Sequence, residues 1–432
     1  LDITSITAST LDLLTNGKIT DSGNIAVTNE AKFNSTGKEI LLGDGKAADG
    51  TTVVAETTGF GSLDFAGGII TITEDDAMAI AASEATGALT LTANGAITQT
   101  TDATAGPIDA ISTSSFNSGA NVITLTQAND FAGAVSLTNT GDNLVQVTDA
   151  NAIDLGAVSV GGALTVNSSG TISDSDTVNV AGLATFVSGG KSITLGDTTT
   201  LAMGSVDFAG STVSIKESNA MVVEASEATG ALSLTASGSI TQNGKIDADN
   251  TTKLDNQSNA GNITLTHADN DFSGAVSIES ISLASVVSLK DKNSIDLGTL
   301  NIANDFTLTS NGTISDSGNI EVGDLANFTS GANPITLGDG TTANFGRLDF
   351  DGSAVTITEN SPMAIVAGKA TGALVLSANG AITQTTGIID ADLTASLSSG
   401  AFKITLDSAN DFTGAVSLSN TGTNDVSIKD IE

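Results

Sequence analysis

Carboxylates are the only side chains abundant enough in this chain to do chemistry. The 432 residues carry 49 Asp and Glu against 14 Lys and Arg, with one histidine and no cysteine. Oxygen-only ligand sets of this kind suit calcium, which takes Asp and Glu carboxylates together with turn carbonyls. The close-spaced set Asp247, Asp249 and Asp255, joined by Asp269 and Asp271, is the candidate calcium group. Neither the nonapeptide G-G-x-G-x-D nor an EF-hand loop is present, so calcium remains an option and no cofactor is required. The densest acidic run, Glu74-Asp75-Asp76, has Glu217-Ser218-Asn219 and Glu359-Asn360-Ser361 as its counterparts. It reads as a solvated turn, because a catalytic pair would want a base or cation beside it.

Other chemistry is thinly supplied. His267 has no second histidine to complete a triad or a metal site. No zinc spacing, P-loop, HExxH or G-x-S-x-G motif occurs. The chain is therefore expected not to be an enzyme. A net charge of −35, with Arg347 as the single arginine, argues against nucleic acid and anionic membrane surfaces as partners. No run of 18 apolar residues suggests membrane insertion. The Thr-x-Thr runs at Thr71, Thr90 and Thr124 raise ice binding, but Ser, Val and Asn interrupt them. Without Trp or Tyr there is little to stack on sugar rings.

The elements that must carry these residues are announced by repetition. GALTLTANGAITQT from Gly87 returns as GALSLTASGSITQN from Gly230 and GALVLSANGAITQT from Gly372, offsets of 143 and 142. DFAGAVSL at Asp130, DFSGAVSI at Asp271 and DFTGAVSL at Asp411 follow in the same order. Three long repeats of about 142 residues result: 1–152, with an extra loop near 44–61, then 153–294 and 295–432, forming one continuous solenoid. A finer spacing lies beneath. Phe306, Phe328 and Phe350 are evenly spaced, and Phe186 and Phe208 are separated by the same interval, which predicts an internal ladder of stacked phenyl rings.

Within a repeat, LTLTANGAIT alternates apolar and small polar residues with period two, and Gly, Asn, Asp and Ser cluster between such runs. Short strands separated by turns, repeating every 20–24 residues, give an all-β parallel β-solenoid of roughly 18–19 coils. At about 4.8 Å per coil the rod would be about 85–90 Å long. Met78, Met221 and Met363 are expected to fill one equivalent core position.

The phrases GALTLTANGAITQT and NPITLGDG resemble the filamentous-haemagglutinin class of repeat-rich bacterial surface proteins. That resemblance covers essentially the whole chain. It implies a right-handed coil, secretion to the bacterial cell surface, and a structural or adhesive role as an extracellular fibre or adhesin shaft. The ends add a second expectation. VSIKDIE from Val426 matches VSLKDKN from Val287, a phrase that leads into IDLG as if the chain's own LDIT beginning should follow. Copies of the chain stacked head to tail into a filament are one reading, and a window on a longer array is the other. Surface glycans or other cells are the remaining expected partners. The competing classes are a carbohydrate-active β-helix enzyme and a glycan- or ice-binding module.

Overall fold

A computed structural model describes residues 1–46, 51–257 and 261–431. The chain is an all-β parallel β-solenoid of about 21 turns, with no helix among the described residues. It divides into two compact units, Leu1–Glu217 and Ser218–Glu432.

In the first unit one coil consists of the strands Ile70–Glu74, Met78–Ile80 and Ser83–Ala85. The next coil lays Leu89–Ala93, Ile97–Gln99 and Ile108–Ala110 on them, each in parallel register. Leu89 faces Ile70 and Leu91 faces Ile72, so like residues stack on like along the interior. Period-two alternation sends Ile70 and Ile72 inward and Thr71 and Thr73 outward. Each wholly buried Ile or Leu contributes about 1.5–3 kcal/mol relative to exposure. A long narrow core of such residues therefore holds the coil without large aromatics. Met78 lies in this core, fully buried.

The second unit is built alike. Leu232–Ala236, Ile240–Gln242 and Ile246–Ala248 form one coil, followed in register by Thr252–Asp255, Ile263–Leu265 and Asp271–Phe272. Met221 and Met363 are fully buried in this unit.

Coils are shorter on average than the phenylalanine spacing suggests, which is why there are about 21 of them and not 18 or 19. Ile153 pairs with Ile172 and Ile295 with Ile314, both shorter steps than the one from Phe186 to Phe208. The phenylalanines show the consequence. Phe186 faces Phe208, and Phe328 faces Phe350. Phe306 faces Ala326 instead, because its coil closes early and leaves Phe328 two positions further on. The rings of Phe306 and Phe328 still meet edge to face, with centroids 5.8 Å apart, and all five rings are buried.

The extra segment of the first repeat enters after Gly43, with an antiparallel bridge between Lys46 and Val53; its residues 47–50 lie outside the described residues. Gly43 and its equivalents Gly196 and Gly338 have φ of +68°, +71° and +73°. A Cβ at these positions would fall 2.1, 2.1 and 2.0 Å from the carbonyl oxygens of Thr73, Lys216 and Thr358. Only glycine fits so close an approach in the left-handed region.

Candidate functional site

A coil that bends leaves backbone groups pointing inward without a ladder partner, and a buried unpaired amide is costly. This chain meets that need with buried polar side chains that recur from repeat to repeat. Glu74, Glu217 and Glu359 close the strands Ile70–Glu74, Val213–Glu217 and Val355–Glu359. All three are buried, and each Oε1 accepts an inward N–H: from Phe60 at 2.7 Å, Met203 at 2.8 Å and Phe345 at 3.0 Å. Burial pushes Glu74 up to about 8, helped by the neighbouring Asp76 and Asp75 carboxylates and opposed by the Phe60 amide. Burial likewise carries Glu217 and Glu359 up to about 7. The expected solvated turn at Glu74 is thus corrected. The exposed members are Asp75 and Asp76, while Glu74 itself is a wholly buried brace.

Asparagine and glutamine make a second brace. Asn270 Oδ1 accepts from the Ile246 amide at 2.9 Å and from Gln242 Nε2 at 2.8 Å, while its Nδ2 donates to Gln242 Oε1 at 2.9 Å and to the Leu265 carbonyl at 3.1 Å. Asn129 with Gln99, and Asn410 with Gln384, repeat the arrangement. The glutamine of each ITQ phrase is therefore an internal partner. Asp149 and Asp291 form a third brace, accepting from Phe131 at 2.9 Å and Phe272 at 2.8 Å, and burial raises both carboxyls.

The expected calcium group is dispersed. Asp247 and Asp271 are register neighbours on adjacent coils. Lys245 pairs with Asp247 at 3.2 Å and Lys292 with Asp271 at 2.8 Å, so each carboxylate already faces a cation. Asp249 is exposed, and Asp255 accepts the Gln257 amide at 2.7 Å. Asp269 is exposed beside His267, whose Nδ1 accepts the Asp269 amide at 3.2 Å. Among the described residues, the group whose carboxylate oxygens converge is a different one: Asp21, Asp44 and Glu56, all within 4.8 Å of one another.

That cluster departs from a fourth recurring brace. Asp21, Asp174 and Asp316 each offer Oδ1 to the amide of the left-handed glycine, at 3.0, 2.9 and 3.0 Å. In the later repeats the hydroxyls of Thr199 and Thr341 donate to Oδ2 of Asp174 and Asp316. These threonines stand two residues before Leu201 and Ala343, which begin their strands; Thr58 begins the equivalent strand in the first repeat, and Glu56 stands two residues before it. A carboxylate replaces the hydroxyl donor, and Asp21 Oδ2 and Glu56 Oε2 are buried with no hydrogen-bond partner among the described residues. Burial, reinforced by the Glu56 and Asp44 charges and opposed by the Gly43 amide, pushes Asp21 up to about 7.

A family model described as repeats of unknown function, DUF5649, matches residues 1–56, 66–138, 141–209, 210–279, 284–347 and 352–419. The chain belongs to the DUF5649 repeat family. The DUF5649 matches come two to each long period, with equivalent starts at 1, 141 and 284 and at 66, 210 and 352. Comparison with curated proteins and with solved structures gives no match.

Proposed function

We propose that this DUF5649 array is a shaft: a structural and adhesive segment of an extracellular fibre on a bacterial surface. The observation that carries this reading is the recurrence of the same buried braces through both units. A protein selected for reach repeats whatever closes its coils, whereas one selected for a reaction concentrates its exceptions at a single cleft. The grooves along the first unit fit the first description. A cavity of about 360 Å³ is lined by Thr28, Glu30, Ser62, Thr101, Asp102 and Thr104 among others, with no Lys, Arg or His in its wall. The acidic exterior supports a role that keeps shafts apart in solution, since like charges of this density repel.

Self-association belongs to the same proposal. In the strands Val416–Ser419 and Val426–Asp430, Val416, Val426 and Ile428 are 38%, 44% and 38% exposed. The equivalent Val135, Val145 and Val147 are fully covered by the coil that follows them. Electron microscopy of native, unheated protein tests the reading. Unbranched fibres with an axial period near one chain length support stacking of copies. Isolated short rods at every concentration would remove the filament. Release of reducing sugar from a surface polysaccharide would overturn the shaft in favour of an enzyme.

A further inference from the structure

Three internal copies of one brace serve as controls for each other. In the second and third repeats the equivalent aspartate is satisfied on both oxygens, by a glycine amide and a threonine hydroxyl. In the first repeat the amide remains and the hydroxyl is gone. Its place is taken by Glu56, and the inserted segment brings Asp44 alongside. Asp21 is only 2% exposed, one of its carboxylate oxygens lies in this group, and its Oδ2 is buried without a donor among the described residues. Glu56 Oε1 is anchored by the Gly45 amide at 2.5 Å and Asp44 Oδ1 by the Lys46 amide at 3.2 Å. These two amides hold one oxygen of each carboxylate, while Asp21 Oδ2 and Glu56 Oε2 have no partner among the described residues.

We propose that Asp21, Asp44 and Glu56 form a binding site for one calcium ion. Three carboxylates brought within 4.8 Å of one another repel strongly in a poorly solvated corner, and a divalent cation reverses the sign of that interaction. The donors are all hard oxygens, with no nitrogen or sulfur ligand in the group. Their arrangement is irregular, mixing a buried aspartate at a strand end with two partly exposed carboxylates from either side of the Lys46–Val53 bridge. Calcium accepts six to eight oxygens in variable geometry, with water completing the shell, whereas magnesium demands a near-ideal octahedron. Bound calcium would tie the inserted segment to the coil at the point where the other repeats use a threonine. The insertion thus exchanges a hydroxyl latch for an ionic one. A site of three carboxylates, two of them partly exposed, belongs to the weak extracellular range, with Kd on the order of 10⁻⁴–10⁻³ M.

The acidic exterior will hold calcium loosely everywhere, so the test reads a difference. Calcium is titrated by calorimetry into the full chain after chelator treatment, in parallel with Glu56→Thr. That substitution installs the residue type that Thr199 and Thr341 supply, so Asp21 regains a donor and the coil is expected to fold. The expected result is one saturable calcium site in the parent that is absent from Glu56→Thr, with a larger calcium-dependent rise in Tm in the parent than in the variant. Should Glu56→Thr fail to fold, Asp44→Asn decides, since Asp44 lies partly in solvent; it should weaken the site at least tenfold. No saturable site in the parent at 10 mM calcium would overturn the proposal and leave Asp21 and Glu56 sharing a proton. Equal binding by parent and variant, or by parent and Asp44→Asn, would overturn it as well.

Discussion

Asn270 shows how much can rest on one side chain in a narrow core. It serves two donors and two acceptors, on the Ile246 amide, the Leu265 carbonyl and the half-buried Gln242 side chain. Asn270→Ala would leave the Ile246 amide and the Leu265 carbonyl without their side-chain partner, at about 1–3 kcal/mol for each stranded group. The expected outcome is local: amide hydrogen exchange at Ile246 should quicken by about a hundredfold, the equivalent of about 3 kcal/mol. Unchanged exchange at Ile389, which Asn410 serves in the same way, would show that the effect stays within its own brace. An exchange rate at Ile246 equal to the parent's would mean water or a backbone shift replaces the asparagine. Residues of this kind were hard to read in the sequence, because one Asn or Glu among so many polar residues carries no local sign of burial. The usable signal was recurrence. Glu74, Glu217 and Glu359 each end an apolar strand phrase, and a carboxylate kept in three copies at the inner end of a strand is structural before it is acidic. Asp21 was concealed for the opposite reason: the insertion separates Asp44 from Glu56 in sequence and hides that Glu56 replaces a threonine.

At the scale of strands and coils the sequence was far more legible, because alternation and stacking are short-range rules. LTLTA, read as alternating, is the strand Leu89–Ala93 with Leu89, Leu91 and Ala93 inward. Aromatic position was less legible. The interval from Phe186 to Phe208 sets the second ring on the first, but the same interval from Phe306 carries Phe328 two positions past its partner. Turn length decides the register, and turns of Gly, Asn and Ser tolerate a residue more or less. Phe328 nevertheless joins neighbouring coils, with its ring 5.8 Å from Phe306 and 5.6 Å from Phe345. Phe328→Ala should cost about 3–5 kcal/mol, because a thin core cannot collapse sideways to fill the gap. The urea midpoint of the second unit should fall accordingly. Phe402→Ala, at a ring 44% exposed, should leave it nearly unchanged. Similar losses from both would mean that the rings contribute by bulk alone and not as coupling between coils.

Over the whole molecule the excess of acid and the buried braces act in the same direction on pH. Glu217 and Glu359 bind protons more tightly when folded, at about 7 against an ordinary 4.5. Between those values the folded chain therefore holds protons that the unfolded chain has released, so stability falls as pH rises. The contribution is complete below about pH 4.5 and is lost as pH passes through 7. A net charge of −35 adds to the trend, since self-repulsion among 49 carboxylates eases as some are protonated. Tm should thus climb as pH is lowered from 8.5 to 5.5, the reverse of a protein held by ionised salt bridges. Glu359→Gln separates the two causes. Its Nε2 can stand where Oε2 now lacks a partner, while its Oε1 still accepts from Phe345. At pH 8.5 the variant should exceed the parent by on the order of 1–3 kcal/mol, because it avoids burying a charge. At pH 5.5 the two should converge, and the pH slope of the variant should be shallower. A variant as steep as the parent would assign the whole trend to surface charge, and the brace would then have to be neutralised by something other than a proton.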